Sequence, residues 1–279
     1  MDQPVGRYDA VLYETRGQVA VLTLNRPERL NAISQGLRRE VHEAVGRARD
    51  DDEIRALIII GAGRGFCSGA DLLGGADRAA AAAQTGAPPP PTSQSERLDE
   101  MSWVGRWAKL FYDFDKPLIG AINGVAAGAG MSMALACDVR IGTPESRFKT
   151  VFVERNLSPD SGMSFFLPRI VGYAAAADLI FTSRNVDAEE AHRLGLLNRI
   201  VPADRLLDEA MAYAEQMAQW PPLAIRSAKR VLQHSMEKEI DEALRYEHVG
   251  LGFARKAVND AKESRLAFLE KRKGVYTGS

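Results

Sequence analysis

Several things are scarce in this chain of 279 residues. There are only two cysteines, Cys67 and Cys137. Two cannot make a disulfide framework, and they do not have the spacing of a zinc site. Their plain reading is as small buried hydrophobes. The four histidines, His42, His192, His234 and His248, form no HxxxH or HxH pair, so no metal site is expected. Net charge is also missing, because 36 Lys+Arg stand against 37 Asp+Glu for a formal charge of −1. That balance leaves no footprint for nucleic acid or an anionic membrane surface. No apolar run approaches the ~20 residues that span a bilayer. The N-terminus shows no basic stretch followed by an apolar one, so no signal peptide is read and a reducing cytoplasm is the expected location.

A hydrophobic share of 46% supports a sizeable core. Gln18 to Asn25 (QVAVLTLN) alternates apolar and polar and reads as a strand. Ser34 is placed to cap a helix running to about Asp50. Ile54 to Gly61 (IRALIIIG) is a nearly continuous β-branched run, suited to a strand covered on both faces. Pro117 to Asn123 and Cys137 to Gly142 read as further strands, with a helix of small residues between them over Gly130 to Leu135. Such alternation argues for α/β architecture with crossovers. From Ala174 onward the pattern is helical, with amphipathic stretches at 203–219, 222–236, 240–253 and 257–273. Residues 74–95 break the pattern with an alanine run and four prolines. They read either as a tolerated surface insertion or as a flap over a pocket.

Two glycine-rich segments each follow a strand directly: Gly61 to Leu72 (GAGRGFCSGADL) and Asn123 to Gly130 (NGVAAGAG). Small side chains let a ligand approach peptide N–H groups, and two such loops aimed at one point would stabilise a developing oxyanion. In sequence, order and separation the two segments resemble the crotonase superfamily, the enoyl-CoA hydratase/isomerase family, from Val19 to Val275. The resemblance implies a spiral of ββα units over 1–203 and a helical trimerisation region over 204–279. It implies an acyl-CoA thioester substrate, with coenzyme A as part of the substrate and no other cofactor. It also implies a homotrimer or dimer of trimers. The implied oxyanion donors are the backbone N–H groups of Ala70 and Ala129. Arg29, Leu30, Ala32, Ser68 and Leu72 are implied to lie along coenzyme A, joined by Phe268 and Lys271 from the C-terminal helix. Glu28 stands where many relatives have a lysine.

The chain departs from the hydratase pattern at the base. The positions of the two hydratase glutamates hold Ser132 and Phe152. Neither side chain can do a carboxylate's work. A carboxylate does stand eight residues beyond Phe152, at Asp160 in the run LSPDSG. There the chain resembles the branch containing phenylacetate-pathway isomerases and 4-chlorobenzoyl-CoA dehalogenases, in which the matching aspartate is the catalytic group. The bare sequence allows another role, because Pro-Asp-Ser-Gly before an apolar run also reads as a helix start with Asp160 as N-cap. Glu154 is expected to face solvent or pair with Arg155 or Arg169. Asp71 is expected to brace its loop. The reading that results is an enoyl-CoA isomerase using Asp160, Ala70 and Ala129. The alternatives are hydration or C–C cleavage with Asp160 and water, and a non-catalytic acyl-CoA-binding protein.

Overall fold

The computed structural model describes residues 8–72 and 93–279. Most of the 74–95 insertion therefore lies outside the described residues. Strands β1 (Val11–Arg16) and β2 (Val19–Leu24) form an antiparallel hairpin at one edge of a six-stranded sheet. The sheet continues in parallel through β3 (Ala56–Gly61), β5 (Leu118–Ile122), β7 (Val139–Gly142) and β9 (Arg199–Ile200). A second, parallel sheet of three short strands holds β4 (Gly65–Cys67), β6 (Val125–Ala127) and β8 (Arg147–Lys149).

The two sheets are filled alternately. β3 enters the large sheet and β4 the small one; β5 and β6 repeat the step, and β7 and β8 repeat it again. A helix follows each pair: α3 (Ser102–Tyr112), α4 (Ala129–Ala136) and α5 (Met163–Val171). This is the expected spiral of ββα turns. Between β2 and β3 runs α1 (Gln35–Asp50), whose start is capped as expected: the Ser34 hydroxyl accepts the Leu37 N–H at 3.1 Å. A single turn, α2 (Gln94–Arg97), precedes α3.

Burial explains why the central strands are apolar throughout. On one face of the sheet Val19, Val21, Ala56, Ile58, Ile119 and Ala121 pack against Leu206, Ala210 and Ala214 of α8 (Leu206–Ala218). On the other face Leu22, Leu57, Ile59 and Leu118 join the larger core with α1, α3 and α4. Successive side chains of one strand thus enter two different cores. Cys67 and Cys137 are both buried, and burial pushes each thiol up to about 12, which removes them as nucleophiles at neutral pH.

Some expectations needed correction. Both glycine-rich segments contain a three-residue strand, β4 and β6, in addition to their turns. The helical region after α5 continues through α6 (Tyr173–Thr182) and α7 (Ala188–Arg193), but is then interrupted by β9. Beyond α8 lie α9 (Pro222–Ser235), α10 (Ile240–Ala254) and α11 (Val258–Glu270), which ends three residues earlier than the pattern suggested. Its stop is Lys271, in the left-handed conformation with φ 54°.

Candidate active site

The first glycine-rich loop is pinned by its neighbours. The Ile33 N–H donates to the Gly69 carbonyl at 2.7 Å, and the Asp71 N–H donates back to the Ile33 carbonyl at 3.2 Å. These bonds pass on either side of Ala70 and leave its N–H without a backbone carbonyl among the described residues. Asp71 braces the loop, as expected, through an ion pair with Arg26 at 2.9 Å. Two asparagines fix the turn from beneath. Asn31 donates to the Ala62 and Gly65 carbonyls at 3.0 and 2.8 Å, while Asn123 reaches the Gly61 and Gly63 carbonyls at 2.9 and 2.8 Å. The first of these braces was not singled out from the sequence, where a lone asparagine in a turn carries no long-range signal.

The second loop ends at the start of α4. Ala129 is the first helical residue, so its N–H has no intrahelical partner. The two loops touch. A Cβ at Gly130 would lie 2.2 Å from the Cys67 carbonyl oxygen, and one at Gly69 would lie 2.8 Å from the Ala127 carbonyl and 3.6 Å from the Ala129 nitrogen. Only glycine permits this approach. The N–H groups of Ala70 and Ala129 are thereby brought to one place, the second reinforced by the N-terminal end of α4.

That place is a cavity of about 540 Å³. Arg29, Leu30, Ala32, Ser68, Ala70, Leu72, Ala129 and Asp160 all line it, which brings together every expected site residue except two. Phe268 and Lys271 are not among its lining, and the Phe268 ring is 83% exposed. Residues 74–115 are expected from the sequence to shape the acyl pocket, and Trp103 of that stretch lines the cavity; Arg64, Arg155 and Leu157 are not singled out by the sequence as cavity residues. Trp103 comes from α3, a helix with no glycine-rich motif to mark it.

Another part of the cavity wall is the segment after β8. Phe152 lies in it and is buried, so an apolar ring stands at the position where the resemblance implied a glutamate in hydratases. Four residues of this segment have positive φ: Val151 (58°), Asn156 (54°), Ser161 (52°) and Gly162 (84°). A β-branched residue at such an angle is strained. The strain therefore sits in the stretch that carries Asp160.

Asp160 is half-buried, and burial raises its carboxyl above the usual aspartate value. A hydrogen bond from the Ser161 hydroxyl to Oδ1, at 2.9 Å, acts in the opposite direction. No cation pairs with the carboxylate among the described residues. The capping alternative fails. The N-cap of α5 is Gly162, and no side chain caps the helix. Asp160 contributes only its backbone carbonyl, which accepts the Met163 N–H at 2.9 Å and the Ser132 hydroxyl at 3.4 Å. Glu154 pairs with Lys149 at 2.6 Å, not with Arg155 or Arg169, and that lysine holds its carboxyl below the usual range. Among the described residues no cluster of His, Cys, Asp and Glu could hold a metal ion, and no helix is long and apolar enough to cross a membrane.

A family model described as enoyl-CoA hydratase/isomerase matches residues 14–279. The chain belongs to the enoyl-CoA hydratase/isomerase family. It is an acyl-CoA enzyme of crotonase fold. Members similar to it include a short-chain-enoyl-CoA hydratase of Clostridium acetobutylicum, 33% identical over 94% of this chain and 95% of that protein. Another is a protein of Mycobacterium bovis named a probable enoyl-CoA hydratase, 36% identical over 97% of this chain and 98% of that protein. Among solved structures, the enoyl-CoA hydratase of Bacillus anthracis superposes with a TM-score of 0.85 at 28% identity, covering 97% of this chain and 100% of that one.

Proposed function

We propose that this family member shifts the double bond of an unsaturated acyl-CoA, as in the branch that works with one catalytic aspartate. The thioester carbonyl binds between the Ala70 and Ala129 N–H groups, which acidifies the adjacent carbon. Asp160 takes the proton, the enolate charge rests on the same oxygen, and Asp160 returns the proton at the other end of the conjugated system. Each donor of such a pair is worth roughly 3–4 kcal/mol of barrier. Coenzyme A lies along Arg29, Leu30, Ala32, Ser68 and Leu72.

One observation carries the choice of isomerisation. Of the described carboxylates lining the cavity, Asp71 is tied to Arg26 and Glu28 sits on the turn beside Arg29, which leaves Asp160 as the one at hand among the described residues. Hydration uses two acid/base groups on one water, whereas a proton shift needs one group acting twice. Phe152 and Ser132 supply no second carboxylate. Hydration is the second reading, favoured by the names of the relatives, which are hydratases.

The test compares turnover of 3-enoyl-CoA and 2-enoyl-CoA substrates by the wild type and by Asp160→Asn. Isomerisation by Asp160 predicts conversion of the 3-enoyl substrate, with a loss of roughly 10²–10⁴-fold in the variant. Binding of CoA esters survives, since both donor loops are untouched. The base works ionised, so kcat/KM falls on the acid side through a value above that of an ordinary aspartate. Hydration of the 2-enoyl substrate with no turnover of the 3-enoyl one would replace this reading by the second. CoA-ester binding with turnover of neither would leave a binding protein.

A further inference from the structure

Ser161 is an odd residue for its position. Its φ of 52° is in the left-handed region, where a side chain costs stability that glycine would not lose. Its neighbour Gly162, at 84°, follows that rule. Ser161 is also buried, with 2% of its surface exposed, so it gains nothing from solvent. What serine adds over glycine is a Cβ carrying a hydroxyl, and that hydroxyl donates to Asp160 Oδ1 at 2.9 Å.

We propose that Ser161 is the positioning residue of the site: it holds the Asp160 carboxylate by Oδ1, and Oδ2 is left as the oxygen that accepts and returns the substrate proton. Oδ2 has no hydrogen-bond partner among the described residues. The backbone of Asp160 is fixed separately, through its carbonyl, by the Met163 N–H and the Ser132 hydroxyl. The side-chain torsions are therefore the freedom left to this residue, and the Ser161 hydroxyl restricts them by holding Oδ1. A half-buried carboxylate without a cation would otherwise rotate between cavity and wall. A base that must deliver a proton to a second carbon needs one defined oxygen at one place. The same bond stabilises the ionised form, which is the form that starts the cycle.

This inference rests on Asp160 as the base, and the test separates the two. The Asp160 carboxyl is titrated by 13C NMR, its resonance identified by its loss in Asp160→Asn. The pH profile of kcat/KM on a 3-enoyl-CoA is recorded alongside. The informative variant is Ser161→Gly, which suits the backbone angle and removes the hydroxyl together with its Cβ, and Ser161→Ala removes the hydroxyl alone. The carboxyl titration moves to higher pH, because the bond that favoured the ionised form is gone. The acid limb of kcat/KM moves up with it, and kcat falls by roughly ten-fold, the size of one hydrogen bond to a charged group. The melting temperature does not fall. An unmoved carboxyl titration overturns the proposal. A titration that moves while the rate profile stays in place overturns Asp160 as the base and leaves the contact standing. Should Ser161→Gly fail to fold, Ser161→Ala carries the same two readouts.

Discussion

A carboxylate half out of water with no cation beside it among the described residues is a cost that a fold does not need, and Asp160 is held in that state by its surroundings. Its folded value lies above the unfolded one, so folding takes up a proton and stability rises as pH falls through the interval between them. At neutral pH the ionised group works against the fold. Asp160→Asn is therefore expected to melt no lower than the wild type at pH 7, and the difference should narrow as the wild-type carboxyl becomes protonated. Thermal melts at neutral and acid pH check this, and a variant that melts lower at pH 7 contradicts it. The same residue marks how far single positions could be read. That Ser132 and Phe152 are not carboxylates, and that Asp160 is one, was legible because residue identity is all those statements need; that two glutamates belong at the first two positions came from the resemblance. Whether Asp160 caps a helix was not, since Pro-Asp-Ser-Gly suits both roles. The answer depends on Gly162 at φ 84° entering the helix in place of the aspartate. The partner of Glu154 was illegible for a related reason: Lys149 is five residues away and is brought near by a turn of the backbone at Val151.

Among elements, most long ones were readable and the shortest were not. The helix capped by Ser34 has enough apolar positions to display a period, and the strands at Ala56 and Leu118 are read from apolar runs bounded by turn residues. Strands β4, β6 and β8 are three residues each and pair with one another from distant parts of the chain, with one further bridge from Phe148 to Val186. No local signal marks them, because what makes them strands is a partner elsewhere. Helix α3 was missed although it supplies Trp103 to the cavity. Helix α4 offers a clean test of the oxyanion donors. Ala129 is its first residue, the position where proline is tolerated and its missing N–H costs the helix nothing. Ala129→Pro is expected to keep the wild-type circular dichroism and lose roughly 10²–10³-fold in rate, as for removal of one donor. A folded variant with near-normal turnover would take Ala129 out of the site.

For the whole molecule, the expected boundary at 203/204 falls just before α8, which packs on the large sheet as part of its core. The helices beyond it are different. Leu232, Ile240, Leu244, Phe268 and Leu269 on α9, α10 and α11 are all exposed. A trimer or dimer of trimers that covers them is the proposed assembly, and light scattering should give three or six times the 30.5 kDa of one chain. A stable monomer at micromolar concentration would refute it. The spiral itself has a further consequence. Both groups proposed to hold the thioester oxygen belong to the peptide backbone, one from the loop that follows β4 and one from the first residue of α4. The groups proposed to choose the reaction are side chains, Ser132, Phe152 and Asp160, and the last two are carried by the next turn. A backbone N–H survives almost any point mutation at its own position, but a carboxylate disappears with a single base change. On the proposed reading the molecule separates a grip built into the backbone from a tool that can be exchanged one residue at a time, so a substitution at Asp160 would change the chemistry and leave the hold on the substrate intact.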